Sequence, residues 1–229
     1  MPSGLFFIEN GEEYMYEFIA GPLVWLAFAV LTVGSFYRII SMLLQAQRDT
    51  IVYPYMSLKY SLRSLVHWLV PFAGVNMRRQ PEMTVVTFAF HLCLIVTPIF
   101  LLPHNILIYR SWGISWWTLP KGVADVMTLI VIITAFVFLL RRLTSPVVKY
   151  VTAPSDYVLL FIAVAPFITG FLAYHHLLPY KTMSTLHILS GIVMLVAIPF
   201  TRLSHMLYFV FTRSYMGSEF GAVRNSKDW

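Results

Sequence analysis

Charge is what this chain has least of: only 11% of its 229 residues are Asp, Glu, Lys or Arg, against about 25% in an ordinary soluble domain. With 59% hydrophobic residues and a mean hydropathy of +0.74, that scarcity excludes a soluble enzyme and a nucleic-acid-binding module. Cysteine is nearly absent as well. Cys93 stands alone inside an apolar run, so there is no disulfide framework, no CxxC metal site and no CxxCH haem attachment. Carboxylates are missing from the middles of the apolar runs, with Asp125 and Asp156 at their ends. There is no Gly-rich phosphate loop, no Ser-His-Asp arrangement that periodicity supports and no carboxylate pair for acid-base work, so the chain is not expected to be an enzyme by itself. The opening MPSGLFFIENGEEYMYE has no basic stretch and carries Glu9, Glu12, Glu13 and Glu17. It does not read as a cleaved signal peptide, and the first helix is expected to stay in the mature protein.

What is there is a series of apolar runs, each near the roughly 20 residues that a helix needs to cross a hydrocarbon core. Spans are expected at about 18–40, 83–109, 123–140, 157–180 and 182–212, a single all-α membrane domain over 1–229 built as a five-helix bundle. With the N-terminus outside, 13 of the 16 Lys and Arg fall on the inner side, leaving only Arg110, Lys121 and Lys181 outside. The positive-inside rule therefore predicts N-out and C-in. Between the first two spans, Leu58, Leu62, Leu65, Val66 and Leu69 recur at helical spacing with Lys59 and Arg63 opposite. That pattern predicts an amphipathic helix over about 58–72, lying in the inner interface. Trp112, Trp116 and Trp117 in the outer loop fit an aromatic belt at headgroup depth, and the polar tail MGSEFGAVRNSKDW suggests a partner-binding or unengaged end.

Six of the seven histidines, His91, His104, His175, His176, His187 and His205, fall in or at the ends of spans. Ionisable groups there are costly and commonly face the bundle interior to bind, relay protons or ligate a cofactor. A lone intramembrane imidazole is as readily a neutral group bonded to a carbonyl, but six together call for more. His187 and His205 are 18 residues apart, which is five full turns and about 27 Å along one helix face. They cannot share one metal ion, but each can ligate a separate haem iron whose other axial ligand comes from a facing helix. By depth, His91 pairs with His205 and His104 with His187. On an ideal helix His104 would be rotated away from His91, so the pairing requires a kink or unwound turn near Pro98 and Pro103; otherwise His175 or His176 takes its place. His67, beside Trp68, reads as an imidazole at the headgroup boundary, and Cys93 as a small core residue.

The stretch LHILSGIVMLVAIPFTRLSHMLYFVF (Leu186 to Phe211) resembles the last helix of the gamma subunit of respiratory nitrate reductase. FHLCLIVTPIF (Phe90 to Phe100) resembles that family's second helix, and LLRRLTSP (Leu139 to Pro146) its loop after the third. The resemblance implies a five-helix dihaem cytochrome b with two non-covalent b-type haems. His91 and His205 match the inner-haem ligands and His187 one outer ligand. His104 matches with a gap, since the family's second histidine on that helix falls where this chain has Leu101. That departure and the long inner segment look more like the gamma-like subunits of Hmc and Tmc-type redox complexes of sulfate-reducing bacteria.

The resemblance further implies electron exchange with a quinone such as menaquinone near the outer haem, and a cytoplasmic iron-sulfur partner subunit. The setting would be the cell's inner membrane, with other membrane or periplasmic cytochrome subunits as further partners. Arg202, and Arg141 and Arg142, are placed to pair with haem propionates or to serve as inner-side anchors. Lys121, Trp116 and Trp117 lie where a quinone would approach. The chain would then be the electron-transfer arm of a larger oxidoreductase. The rival from another class is a haem-free membrane anchor or proton-pathway transporter subunit, which ordinarily wants Asp or Glu within the spans. Four-helix cytochrome b anchors of hydrogenases and formate dehydrogenases are a third reading, against which five spans argue.

Overall fold

The computed structural model describes residues 13–228, so Glu9 and Glu12 of the opening stretch lie outside the described residues. In chain order the helices are α1 (Glu13–Ala46), α2 (Leu58–Leu69), α3 (Val75–Arg79), α4 (Pro81–Phe100), α5 (Leu102–Trp112), α6 (Lys121–Thr144), α7 (Pro146–Tyr150), α8 (Pro154–Tyr174), α9 (Tyr180–Phe200) and α10 (His205–Ser218). No strand occurs among the described residues. Among the described residues five helices, α1, α4, α6, α8 and α9, are long and apolar enough to cross a membrane. The chain is an all-α, multi-pass membrane protein whose solvent is in large part lipid.

Two of these helices stop earlier than hydropathy suggests. The second apolar run reads as one span over 83–109, but α4 ends at Phe100 and Leu101 is extended (φ −75°, ψ 129°) before α5 begins with Pro103 in its first turn. The fifth run reads as continuous over 182–212, but Thr201 is extended (φ −125°, ψ −174°) after Pro199. A 3₁₀ turn, Arg202–Ser204, then leads into α10. His187 and His205 therefore do not share one helix face, and the five-turn register drawn from their spacing does not apply. Averaged hydropathy passes over such breaks, because apolar residues resume within a turn or so, Ile106 and Leu107 after the first and Met206 and Leu207 after the second.

The chain forms two compact units, Glu82–His187 and Met1–Pro81 with Ile188–Trp229. In the first, Phe90 and Cys93 of α4, Val131 and Ala135 of α6, and Val164 and Phe167 of α8 form the core. Burial goes to small residues, Ala124, Thr134 and Ala135 on α6 and Ala163, Ala165 and Ala173 on α8, while Leu92, Ile133, Phe136 and Phe161 are exposed. That inversion is the membrane pattern: small side chains let helices approach, and large apolar ones meet lipid at no cost. The hydroxyls of Thr128, Thr134 and Thr169 donate to carbonyls four residues back at 2.8, 2.6 and 2.7 Å, so each is satisfied within its own helix.

In the second unit, α1 lies so close to the end of α9 that a Cβ on Gly34 would sit 2.9 Å from the Pro199 ring. The amphipathic helix expected at 58–72 is α2. Its buried face is the small one, Ser61 and Ser64, whereas Leu58, Leu62, Val66 and Leu69 stay exposed, as a lipid-facing stripe would. The tail is not an unengaged end: Asp228 is buried, pairs with Arg213 at 2.8 Å and accepts from the Ser64 hydroxyl. Two glycines make that closure possible. A Cβ on Gly217 would fall 2.5 Å from the Tyr60 carbonyl oxygen, and one on Gly221 would collide with the Tyr60 ring.

Candidate cofactor site

The break after α4 leaves carbonyls that no helical N–H serves, since Pro103 has none to offer and extended Leu101 carries the following amides off the helical path. Three groups from the segment beyond take them. Trp116 Nε1 donates to Ile99 O at 2.9 Å, Leu119 N donates to Phe100 O at 2.8 Å, and His104 Nδ1 donates to Pro98 O at 2.8 Å. Asn105, buried one residue on, donates from Nδ2 to Trp116 O at 2.8 Å and ties the loop back to α5. The chain turn that sequence reasoning required for His104 is thus built from a proline, an extended residue and a loop that fills the vacated acceptors.

His187 is set from the other side by α8. Its Nδ1 donates to Pro166 O at 2.9 Å. Pro166 and Gly170 are four residues apart on one face of α8, and the absent side chain at Gly170 is what admits the imidazole. A Cβ there would lie 2.9 Å from Nδ1 and 3.0 Å from Cε1 of His187. The rings of His104 and His187 come together, with centroids 5.9 Å apart and planes within 16°. A metal ion bonded to one nitrogen of each ring at about 2 Å would hold the two centroids about 6 Å apart.

Because a carbonyl only accepts, Nδ1 of each ring is the protonated nitrogen, which assigns the lone pair of the neutral imidazole to Nε2. Ligating histidines are commonly fixed in this way, by giving their other N–H to a backbone carbonyl. The other two candidate ligands show the same bond locally: His91 Nδ1 donates to Thr87 O and His205 Nδ1 to Arg202 O, both at 2.8 Å. His91 belongs to the unit with α4, α6 and α8, and its ring meets Phe90 edge-on at 5.3 Å. His205 belongs to the other unit and opens α10 just after the Thr201 break. His67 donates in the same manner to Arg63 O at 2.8 Å.

No group of three or more His, Cys, Asp or Glu that could hold a metal ion occurs among the described residues. A metal held by protein side chains alone does not suit such a donor set. Two imidazoles suit a metal that brings its own equatorial ligands, as the iron of a haem does.

The remaining candidates are placed as follows. Arg142 is 3.8 Å from the Asp156 carboxylate and 3.4 Å from the Thr152 hydroxyl, which ties α6 to the start of α8. Arg141 is half-buried beside it, and the Arg202 side chain is exposed. Trp116 and Trp117 are both exposed, the first holding the loop and the second tilted over Phe100 at 5.9 Å. The Lys121 ammonium lies 5.1 Å from the centre of the Tyr174 ring. His175 is engaged elsewhere, its Nε2 3.1 Å from Asp125 Oδ1, and His176 is exposed with φ 52°. Sequence reasoning missed Gly170, Pro166 as acceptor and the Asp125–His175 pair. A glycine within an apolar span was the one signal for the first; the last joins residues 50 apart in sequence.

No family model matches the chain. A protein of Nitratidesulfovibrio vulgaris strain Hildenborough, described only as "Protein", is 36% identical over 215 residues, covering 92% of this chain and 95% of its own length. At that identity over nearly the whole of both chains, this chain belongs to the same family as the Nitratidesulfovibrio vulgaris protein.

Proposed function

We propose that the chain is a dihaem b-type cytochrome, the membrane subunit that carries electrons across the cytoplasmic membrane for a larger oxidoreductase complex of the nitrate reductase gamma-like kind. The observation that carries this reading is the His104–His187 pair, two imidazoles 5.9 Å apart whose Nδ1 atoms are each committed to a proline carbonyl. With 13 of 16 basic residues on the inner side, that pair lies toward the outer surface. His91 and His205 are the proposed ligands of a second, inner haem on the strength of the sequence pattern.

Bound haem, held by these imidazoles, would supply a one-electron couple suited to carrying electrons. What the chain's own residues do follows from their bonds. The Pro98 and Pro166 carbonyls accept from Nδ1 of the two imidazoles and so orient them. Arg202 and Arg141 are the proposed propionate partners on the strength of the sequence, while Arg142 already serves Asp156. Electrons enter or leave at the outer end, from a quinone or a periplasmic cytochrome, and at the cytoplasmic end through an iron-sulfur subunit.

The test is a set of single substitutions in the full chain, His104→Ala, His187→Ala, His91→Ala and His205→Ala, each analysed for haem per chain and for redox potentials. His104→Ala and His187→Ala should remove the same haem, and His91→Ala and His205→Ala the other. Full haem content in the His104 and His187 variants would overturn the outer site. A wild-type chain without haem would overturn the whole reading in favour of a haem-free membrane anchor.

A further inference from the structure

The Asp125–His175 pair has no part in holding the imidazoles just described, yet His175 follows on the same helix that admits His187. His175 follows Gly170, the residue against which His187 packs, by five residues, about 7.5 Å of helix rise. Its Nε2 faces Asp125 Oδ1 at 3.1 Å across from α6, and each side chain is about a quarter exposed (27%). A carboxylate accepts, so Nε2 carries the proton and Nδ1 the lone pair of the neutral ring. Nδ1 has no hydrogen-bond partner among the described residues. The ring is braced by Phe171 at 4.4 Å and Tyr174 at 5.3 Å. The other charged or titratable groups near it are Lys121, one turn before Asp125 and held over the Tyr174 ring, and His176, whose ring meets Tyr180 at 5.1 Å. An imidazole backed by a carboxylate on one nitrogen and open on the other is the arrangement of a general base, since the carboxylate orients the ring and stabilises the imidazolium formed.

We propose that His175, backed by Asp125, is the proton acceptor for a donor that delivers protons together with electrons, a hydroquinone, at the outer end of α6 and α8. An electron-only donor such as a periplasmic cytochrome has no use for such a base. The inference rests on the haem reading above. In the step, the hydroquinone O–H bond breaks, its proton forms an N–H bond at His175 Nδ1, and the resulting imidazolium faces the Asp125 carboxylate. The hydroquinone becomes the quinone by loss of two electrons and two protons, and the electrons would go one at a time to the one-electron acceptor that His104 and His187 would hold. The second proton follows the same route once the first has passed from Nδ1 to water. This gives the proton-accepting role to a pair that sequence reasoning had not joined.

The experiment compares wild-type full chain with His175→Asn and Asp125→Asn, using duroquinol as proton-and-electron donor and dithionite as electron-only donor. Haem content is measured first, and haem reduction is followed by stopped flow across pH. Both variants should keep wild-type haem content and wild-type reduction by dithionite. His175→Asn should slow reduction by duroquinol about a hundredfold, the scale of a lost general base, and flatten its pH profile. An infrared difference spectrum taken on adding duroquinol should show imidazole protonation in wild type and not in His175→Asn. Equal slowing with both donors, unchanged rates with duroquinol, or haem-loaded wild type that duroquinol does not reduce would overturn the inference and leave the haem reading intact. Wild type without haem would overturn both. Should His175→Asn fail to assemble, Asp125→Asn carries the same comparison with a smaller expected slowing.

Discussion

Gly170→Ala adds one methyl group at the point where α8 admits His187. The new Cβ would lie 2.9 Å from Nδ1 and 3.0 Å from Cε1, whereas apolar contacts are at rest at about 3.5–4.0 Å. The imidazole must retreat by about half an ångström or more. Its bond to Pro166 O, now 2.9 Å, then passes beyond the roughly 3.2 Å limit of a good N–H···O bond. Overpacking of this kind costs about 1–3 kcal/mol, and loss of the partner that orients a ligand costs about 10–100-fold in metal affinity. The expected result is a chain that still inserts and folds, keeps the haem assigned to His91 and His205, and loses or binds weakly the haem assigned to His104 and His187. The assay is haem per chain by pyridine haemochrome, together with a redox titration that resolves the two centres. Gly191→Ala on α9 is the control, since nothing lies within 4 Å of its added Cβ, and it should leave both centres unchanged. Unaltered haem content and potentials in Gly170→Ala would refute the reasoning, because they would mean that the Pro166–Gly170 notch does not position His187.

Other outcomes follow from the same structure. Trp116→Phe removes the donor to Ile99 O, so the detergent-solubilised protein should lose about 1 kcal/mol or more of stability, read as a lower Tm. Asn105→Leu should act on the same loop, releasing Trp116 O, and the double variant should cost less than the two single losses added together, since both bonds close one loop. Gly217→Ala puts a Cβ 2.5 Å from Tyr60 O and 2.6 Å from Ser64 Cβ. It should loosen α10 from α2 and make the tail after Ser218 markedly more sensitive to limited proteolysis. Asp228→Ala leaves Arg213 without its carboxylate partner, and should expose the same tail while sparing haem content at His104 and His187.

Much of the architecture is legible in the sequence because the membrane imposes a coarse length rule: five runs of about 20 apolar residues become α1, α4, α6, α8 and α9. Periodicity likewise locates α2. The breaks at Leu101 and Thr201 are not legible in hydropathy, because a polypeptide can leave the helical path without becoming polar. Pro98 and Pro103 flagged the first break, but the groups that stabilise it, Trp116 Nε1 and Leu119 N, come from a loop whose tryptophans read as headgroup anchors. The approach of His104 to His187 depends on that break and on the missing side chain of Gly170, a tertiary notch with no local signature. Asp125 and His175 meet only once α6 and α8 pack. The tail was misjudged for a related reason: its polarity suggested a partner-binding or unengaged end, whereas Gly217 and Gly221 allow closer contact with Tyr60 than any side chain would.

The central claim is that this chain holds haem on paired histidines, and the most direct measurement is pyridine haemochrome quantification with a reduced-minus-oxidised optical spectrum of the purified wild-type chain. Two b-type haems per chain are predicted. One haem, lost on substitution of His91 or His205 and not of His104 or His187, would contradict the outer site, and none at all would contradict the claim itself.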